Sequence, residues 1–424
     1  MRSPFLSPRE VIMAQPNYTR TKRACYFAYV AAASVFCLPP MLFVTFQETY
    51  DIPYTLLGTL VAVNFCTQLG IDLIFSFFSK HFNIKLTVRV MPLLTSLGMV
   101  IYALVPTLWP QHAYAGLLFG TVIFSVAAGL GEVLLSPTVA ALPSDNPERD
   151  MSLLHSLYGW GVVLMVVIGT IFFALFGTRN WMYLILFLAI LPLIGSILFC
   201  LSPIPSFEVS HNETKAAAKK RNIGLLLCVV CIFLGSAAEN TMTNWISGYM
   251  EVALGIPKEL CDIVGLALFA TLLGLTRTLY AKWGRNIWKM MFVGMMGAVV
   301  CYLAVSFVSS PIFAVVACVL TGCFTSMLWP GSLILMEERM PGLGVAAYAL
   351  MAAGGDLGAS VAPQLMGIIV DTVTNRLSTV VGFSADPEEL GMRFGMLVAA
   401  IFPALGVVWL LIIKRYFKIG KKQS

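Results

Sequence analysis

Charge is what this chain of 424 residues most lacks. Asp, Glu, Lys and Arg make up 11% of it, where a soluble domain carries about 25%. With a mean hydropathy of +0.85, too little polar surface remains to cover a water-facing globule. Soluble domains, disorder, collagen and coiled coil are excluded together. Catalytic apparatus is missing as well. No phosphate-cradling glycine loop precedes a Lys, and there is no HExxH, no GxSxG and no nucleotide-binding domain. The loops are too short to house an enzyme, so no enzymatic activity is expected. Cys228 and Cys231 form a CxxC, but inside an apolar run without His or Cys partners. The other cysteines read as small apolar residues, so neither a disulfide framework nor a metal or cofactor site is expected. What remains is an all-α, polytopic membrane protein.

The apolar residues, 58% of the chain, fall into runs near or above the ~20 residues that cross a bilayer as a helix. They are Cys25–Phe46, Thr55–Phe78, Leu86–Val105, Tyr114–Leu142, Met151–Phe176, Trp181–Leu201, Ile223–Tyr249, Cys261–Leu279, Ile287–Ser306, Ile312–Met336, Gly344–Ile369 and Phe394–Phe417. That makes twelve transmembrane helices. The alternating ten-mers of a membrane barrel are absent.

Of the 27 Lys and Arg, all but Arg179, Lys258, Arg376 and Arg393 fall on the side holding the N-terminus. Basic residues mark the cytoplasmic side, so both termini are expected there, in a cytoplasmic (inner) membrane. The net charge of +6 is then a topology signal, and no nucleic-acid partner is implied. No cleavable signal peptide is expected, because the first apolar run is too long for one.

The chain repeats itself once. A polar stretch, 202–222, separates a first bundle (24–201) from a second (223–417), with tails at 1–23 and 418–424. Superposing the halves sets Leu135–Ser136–Pro137 on Leu328–Trp329–Pro330 and Gly161 on Gly354. Both second-to-third turns of the two halves, SKHFNIK and YAKWGRN, are short and basic. Two pseudo-symmetric six-helix bundles joined by a cytoplasmic linker are the layout of transporters that rock about a midplane site.

An ionisable residue inside a span is costly unless it faces a partner or water, and so is a functional candidate. Asp72, Glu132, Glu239 and Asp356 qualify, and no Lys or Arg is placed at their depth. A buried carboxylate without a cation takes up a proton, because desolvation disfavours its charged form. A sodium ion or a cationic substrate would satisfy it too. Glu132 lies near the midplane, with Pro137 five residues on to free backbone carbonyls beside it. Glu239 sits in the most polar span, GSAAENTMTNWISGY. There Ser236, Glu239 and Thr243 share one face, Asn240 and Asn244 line the next, and Trp245 offers a flat ring. Asp356, Ser360 and Gln364 form a stripe amid Gly354, Gly355 and Gly358, which allow close helix approach. Asn64, Gln68 and Asp72 form a similar stripe; Asp72 is about two turns from the cytoplasmic end and is assigned to a gate.

Six plus six spans with short basic turns resemble the major facilitator superfamily. The run GLGEVLLSPTVAALP, followed by MSLLHSLYGWG, resembles spans four and five of its fucose–proton symporter branch, with Glu132 and Pro137 at the family spacing. By that resemblance Glu132 is the coupling carboxylate, with His155 and Tyr158 where the branch carries Gln and Asn. The chain departs from it in span one, YFAYVAAASVFCLPPMLF, which holds no acid. After span two SKHFNIK keeps only the basic members of the superfamily signature, and Arg277 with KWGR keeps more of it. Lys80, Arg277, Lys282 and Arg285 are therefore assigned with Asp72 to gating.

The resulting expectation is a secondary active transporter. It moves a small polar solute, a sugar or glycoside, by proton-coupled symport with alternating access, with H⁺ or Na⁺ as the coupling ion. Substrate contacts are assigned to His155, Tyr158, Glu239, Asn240, Asn244, Trp245, Asp356, Asn64 and Gln68. The alternative is a proton-antiport exporter of drugs or metabolites, although span five has Gly159, Gly161 and Gly169 without the GP signature of such exporters. The partners expected are a small-molecule substrate and the bilayer, with the chain as a monomer.

Overall fold

The computed structural model describes residues 17–52, 54–207, 215–257, 260–378 and 386–419. Residues 1–16 and 420–424 of the expected tails, and 208–214 of the expected linker, lie outside the described residues.

The described chain is helical throughout. In order the helices are α1 (Tyr18–Met41), α2 (Phe43–Tyr50), α3 (Tyr54–Phe78), α4 (Ile84–Leu108), α5 (Ala113–Ala140), α6 (Pro147–Phe176), α7 (Trp181–Cys200) and α8 (Lys215–Leu254). They continue as α9 (Leu268–Trp283), α10 (Ile287–Phe307), α11 (Pro311–Thr325), α12 (Leu328–Arg339), α13 (Val345–Ser378), α14 (Pro387–Ala399) and α15 (Ile401–Tyr416). Among the described residues, eleven spans are long and apolar enough to cross a membrane. α1 and α2 occupy the position of the first expected span, completing twelve.

Three expected single helices are broken. The first span breaks at Leu42, just after Pro39–Pro40, the tenth between α11 and α12, and the twelfth between α14 and α15. Pro330 and Pro403 are each the third residue of the following helix. Proline is tolerated in a first turn, where its missing N–H has no intrahelical partner. A π-helical stretch, Cys261–Ala267, opens the eighth span.

Several contacts put the chain ends and the linker on one face. The Thr21 hydroxyl donates to the Pro203 carbonyl at 2.6 Å, and the Tyr416 hydroxyl donates to that of Lys220 at 2.6 Å. This is the basic end of the molecule. The internal repeat is structural as well. A side chain at Gly161 would meet the Val30 carbonyl at 2.9 Å, and one at Gly354 would meet Val229 at 2.8 Å. So α6 closes on α1 and α13 on α8 through equivalent glycines.

Packing differs between the two ends. One buried cluster, with Tyr29, Leu134, Met151, Leu328, Met336 and Tyr348 among its members, runs through both halves. Another, around Phe46, Tyr102 and Trp181, belongs to the first half alone, and a third, around Tyr249, Tyr302 and Met396, to the second. The core is therefore continuous across the halves at the basic end and separate, one cluster per half, at the opposite end. Phe119, Leu175, Phe187, Phe307 and Ile312 are exposed on the outer surface, as suits side chains that meet lipid.

Candidate functional site

A cavity of about 230 Å³ lies between the halves. Its wall includes Gln68, Glu132, His155, Tyr158, Glu239, Asn240 and Asp356, all expected at the site. Tyr29, Arg277 and Trp329 also line it.

Arg277 corrects one expectation. Sequence reading counted it among the gating charges that surround the eighth-to-ninth turn and left Glu239 without a counter-charge. Instead it is 4% exposed, on α9 six residues before that helix ends. Its Nη2 donates to Glu239 Oε1 at 3.1 Å and Oε2 at 3.2 Å. Its Nε donates to the Ser326 carbonyl at 2.7 Å, and Nη1 to that of His155 at 3.3 Å. The Ser326 carbonyl is open for a local reason. Its helical donor would be the N–H four residues on, which is Pro330 and has none. The break in the tenth span thus supplies an acceptor that anchors a buried guanidinium.

Asp72, assigned to a cytoplasmic gate, is fully buried, and its carboxylate lies with those of Glu132 and Asp356 within 4.8 Å of one another. Asp72 comes from α3, Glu132 from α5 and Asp356 from α13, so this cluster crosses between the halves. Lys80, Lys282 and Arg285 are exposed at the basic end, and Lys282 rests over the Trp283 ring at 4.7 Å.

His155 is held in a buried chain of contacts. Its Nε2 is 3.2 Å from the Ser136 hydroxyl, which is 3.3 Å from the Tyr29 hydroxyl, and the Tyr29 ring meets the imidazole edge-on at 5.2 Å. Ser136 follows Glu132 by one helical turn, so His155 reaches the neighbourhood of that acid through Ser136.

Not every assigned residue reaches the cavity. Asn64 is tied inside the first half, accepting from Ser125 at 2.6 Å and from Gln68 Nε2 at 3.0 Å. Asn244 is exposed and donates to the Asn240 carbonyl at 2.8 Å. Trp245 donates to the Pro363 carbonyl at 3.1 Å. Trp329 lines the cavity beside Tyr29, Phe65 and Tyr158, and a side chain at Gly355 would approach its ring to 2.3 Å. Sequence reading missed it, although the repeat carries the signal: Trp329 stands where the first half has Ser136, and both line the space beside His155.

The hydrogen bonds joining the halves lie toward the basic end. Tyr280 donates to Glu148 Oε2 at 3.0 Å, Ser152 to the Arg277 carbonyl at 2.8 Å, and Trp160 Nε1 to Thr278 Oγ1 at 2.9 Å.

No curated protein sequence matches this chain. Solved structures share its fold. The Escherichia coli fucose:proton symporter FucP superposes with a TM-score of 0.70 at 13% identity, over 92% of this chain and 99% of that one. The proton:xylose symporter XylE gives 0.72 at 13% identity over 93% and 95%. The human organic anion transporter MFSD10 gives 0.69 at 14% identity over 93% and 100%. The Major Facilitator Superfamily profile matches residues 25–363, through both halves and the cavity between them. With its two six-span bundles about a central cavity, this membrane-spanning chain belongs to the major facilitator superfamily of transporters.

Proposed function

We propose that the protein is a proton-coupled symporter of a small, polar, uncharged solute of the sugar or glycoside class. The observation that carries the reading is the placement of Glu132. It lies in the cavity wall between the halves, opposite hydrogen-bonding groups and an aromatic plane that suit a polyol. Asn240, Gln68 and Tyr158 supply the polar contacts and Trp329 the face for stacking. Arg277, the cation in the described wall, is already engaged by Glu239 and two carbonyls, which disfavours an anionic cargo.

With the basic end cytoplasmic, the closed end faces the cytoplasm and the cavity belongs to an outward-facing state. Substrate and proton would enter there. Glu132 takes the proton, which removes a buried charge and lets the halves rock closed over the loaded site. Opening to the cytoplasm rehydrates Glu132, and the proton leaves with the solute.

Reconstituted carrier in liposomes tests this with a pH dye outside. Adding the transported sugar outside alkalinises that medium, and Glu132→Gln abolishes the response while keeping solute exchange. Uphill uptake driven by a pH gradient in Glu132→Gln would refute the coupling role.

A further inference from the structure

Asp72, Glu132 and Asp356 bring three carboxylate oxygens within 4.8 Å of one another, and among the described residues no arginine or lysine forms an ion pair with them. Acids alone do not make a site, but here a second observation points to a ligand. Apart from one another, no hydrogen-bond partner reaches either oxygen of Asp72, a side chain with no exposure, or Oδ2 of Asp356. Buried polar atoms in a folded protein are almost always satisfied, and one left open is costly, more so for a charged group. The nearest guanidinium, Arg277, is spent on Glu239. The unmet acceptors therefore converge on one another.

We propose that these three carboxylates form a binding site for a hard monovalent cation, sodium, coordinated across the interface of the two halves. The donors are all oxygen, the set that hard cations take. The spacing fits as well, since oxygens around an ion at about 2.4 Å lie no more than about 4.8 Å apart. The charge of the ion follows from the position of the site. α3 and α5 belong to one half and α13 to the other, so a transport cycle must dismantle the site at every turnover. A divalent ion on three carboxylates would be held too tightly for that. One sodium ion with two protons neutralises the three groups. The site also forms only when the halves meet at the basic end, so ion occupancy and conformation are linked. This inference rests on the reading of Glu132 as a transport carboxylate, and adds Asp72 and Asp356 as its partners.

The test is ²²Na⁺ binding to the purified full-length carrier in nanodiscs, alongside thermal unfolding in NaCl or choline chloride at equal ionic strength. Sodium should bind saturably and raise the melting temperature, where choline does not. Asp72→Asn and Asp356→Asn should each weaken binding by about tenfold or more, since ligand charge sets affinity at such sites. Asp72→Glu, which keeps the charge, separates loss of the site from loss of the fold by retaining part of the binding. No sodium-specific binding by the unaltered protein would overturn the proposal, even with proton-driven uptake intact, and so would undiminished binding in both Asn variants. A melting shift with Mg²⁺ or Mn²⁺ but not with Na⁺ would overturn the monovalent assignment. Sodium binding without proton-driven flux would support the site and remove the proton coupling instead.

Discussion

Glu239 of α8 and Arg277 of α9 form a part-buried ion pair at 3.1 Å in the wall of the cavity between the halves. Both belong to the second half, yet Arg277 also donates to the His155 carbonyl of the first. The pair therefore shapes the cavity and holds the closed end together.

Arg277→Met leaves the part-buried Glu239 without its partner, and the cost falls below the ~3–5 kcal/mol of a fully buried pair because the cavity admits water to the carboxylate. A lower melting temperature in detergent is expected, with part of it restored in the double variant carrying Glu239→Gln. No recovery in the double variant would mean that Arg277 acts mainly through the Ser326 and His155 carbonyls.

Pro330→Ala restores an N–H that can bond the Ser326 carbonyl within the tenth span. It then competes with Arg277 for that acceptor, a bond to a charged donor worth about 1.5–3 kcal/mol. Substrate uptake should fall by about tenfold while the amount of folded carrier holds. Uptake at the unaltered rate would show that the helix break is incidental to the site.

Tyr280→Phe removes the hydroxyl that bridges to Glu148 across the halves. Losing one bond of about 1 kcal/mol shifts the balance of states by about fivefold toward opening at the basic end. Spin labels on Ser79→Cys and Arg285→Cys would read this as a larger population at long distance, and an unchanged distribution would mean that the bond does not latch the closed state.

Gly355→Ala places a methyl against the Trp329 ring, 2.3 Å from its nearest atom. The ring must shift into the cavity, so substrate affinity should drop with little loss of fold. Binding measured by tryptophan fluorescence checks this, and unaltered affinity would separate Trp329 from the substrate.

Composition, span lengths and the asymmetry of basic residues determined the architecture in advance. Lipid demands long apolar helices whose backbone groups are satisfied within each segment, and that demand is local. The repeat was legible for the same reason, since Pro137 and Pro330, or Gly161 and Gly354, answer to the same packing at equivalent places. Glu132, Glu239 and Asp356 stood out because a carboxylate in an apolar run has no other explanation.

The partners of those acids were decided only by tertiary structure. Arg277 sits near the end of an apolar run, and nothing along the chain distinguishes a snorkelling arginine from one turned inward to Glu239. Asp72 looked like a gate because depth along one helix says nothing about which helix lies opposite. Trp245 and Asn244 lie off the cavity wall, whereas Trp329 lies on it, where only its place in the repeat could have signalled it. Sequence by itself determined which side chains are costly to bury, a property of each residue and its immediate neighbours. Which of them meet was settled by the packing of helices far apart in the chain, where a rotation of one helix by a single position exchanges a cavity wall for a lipid surface.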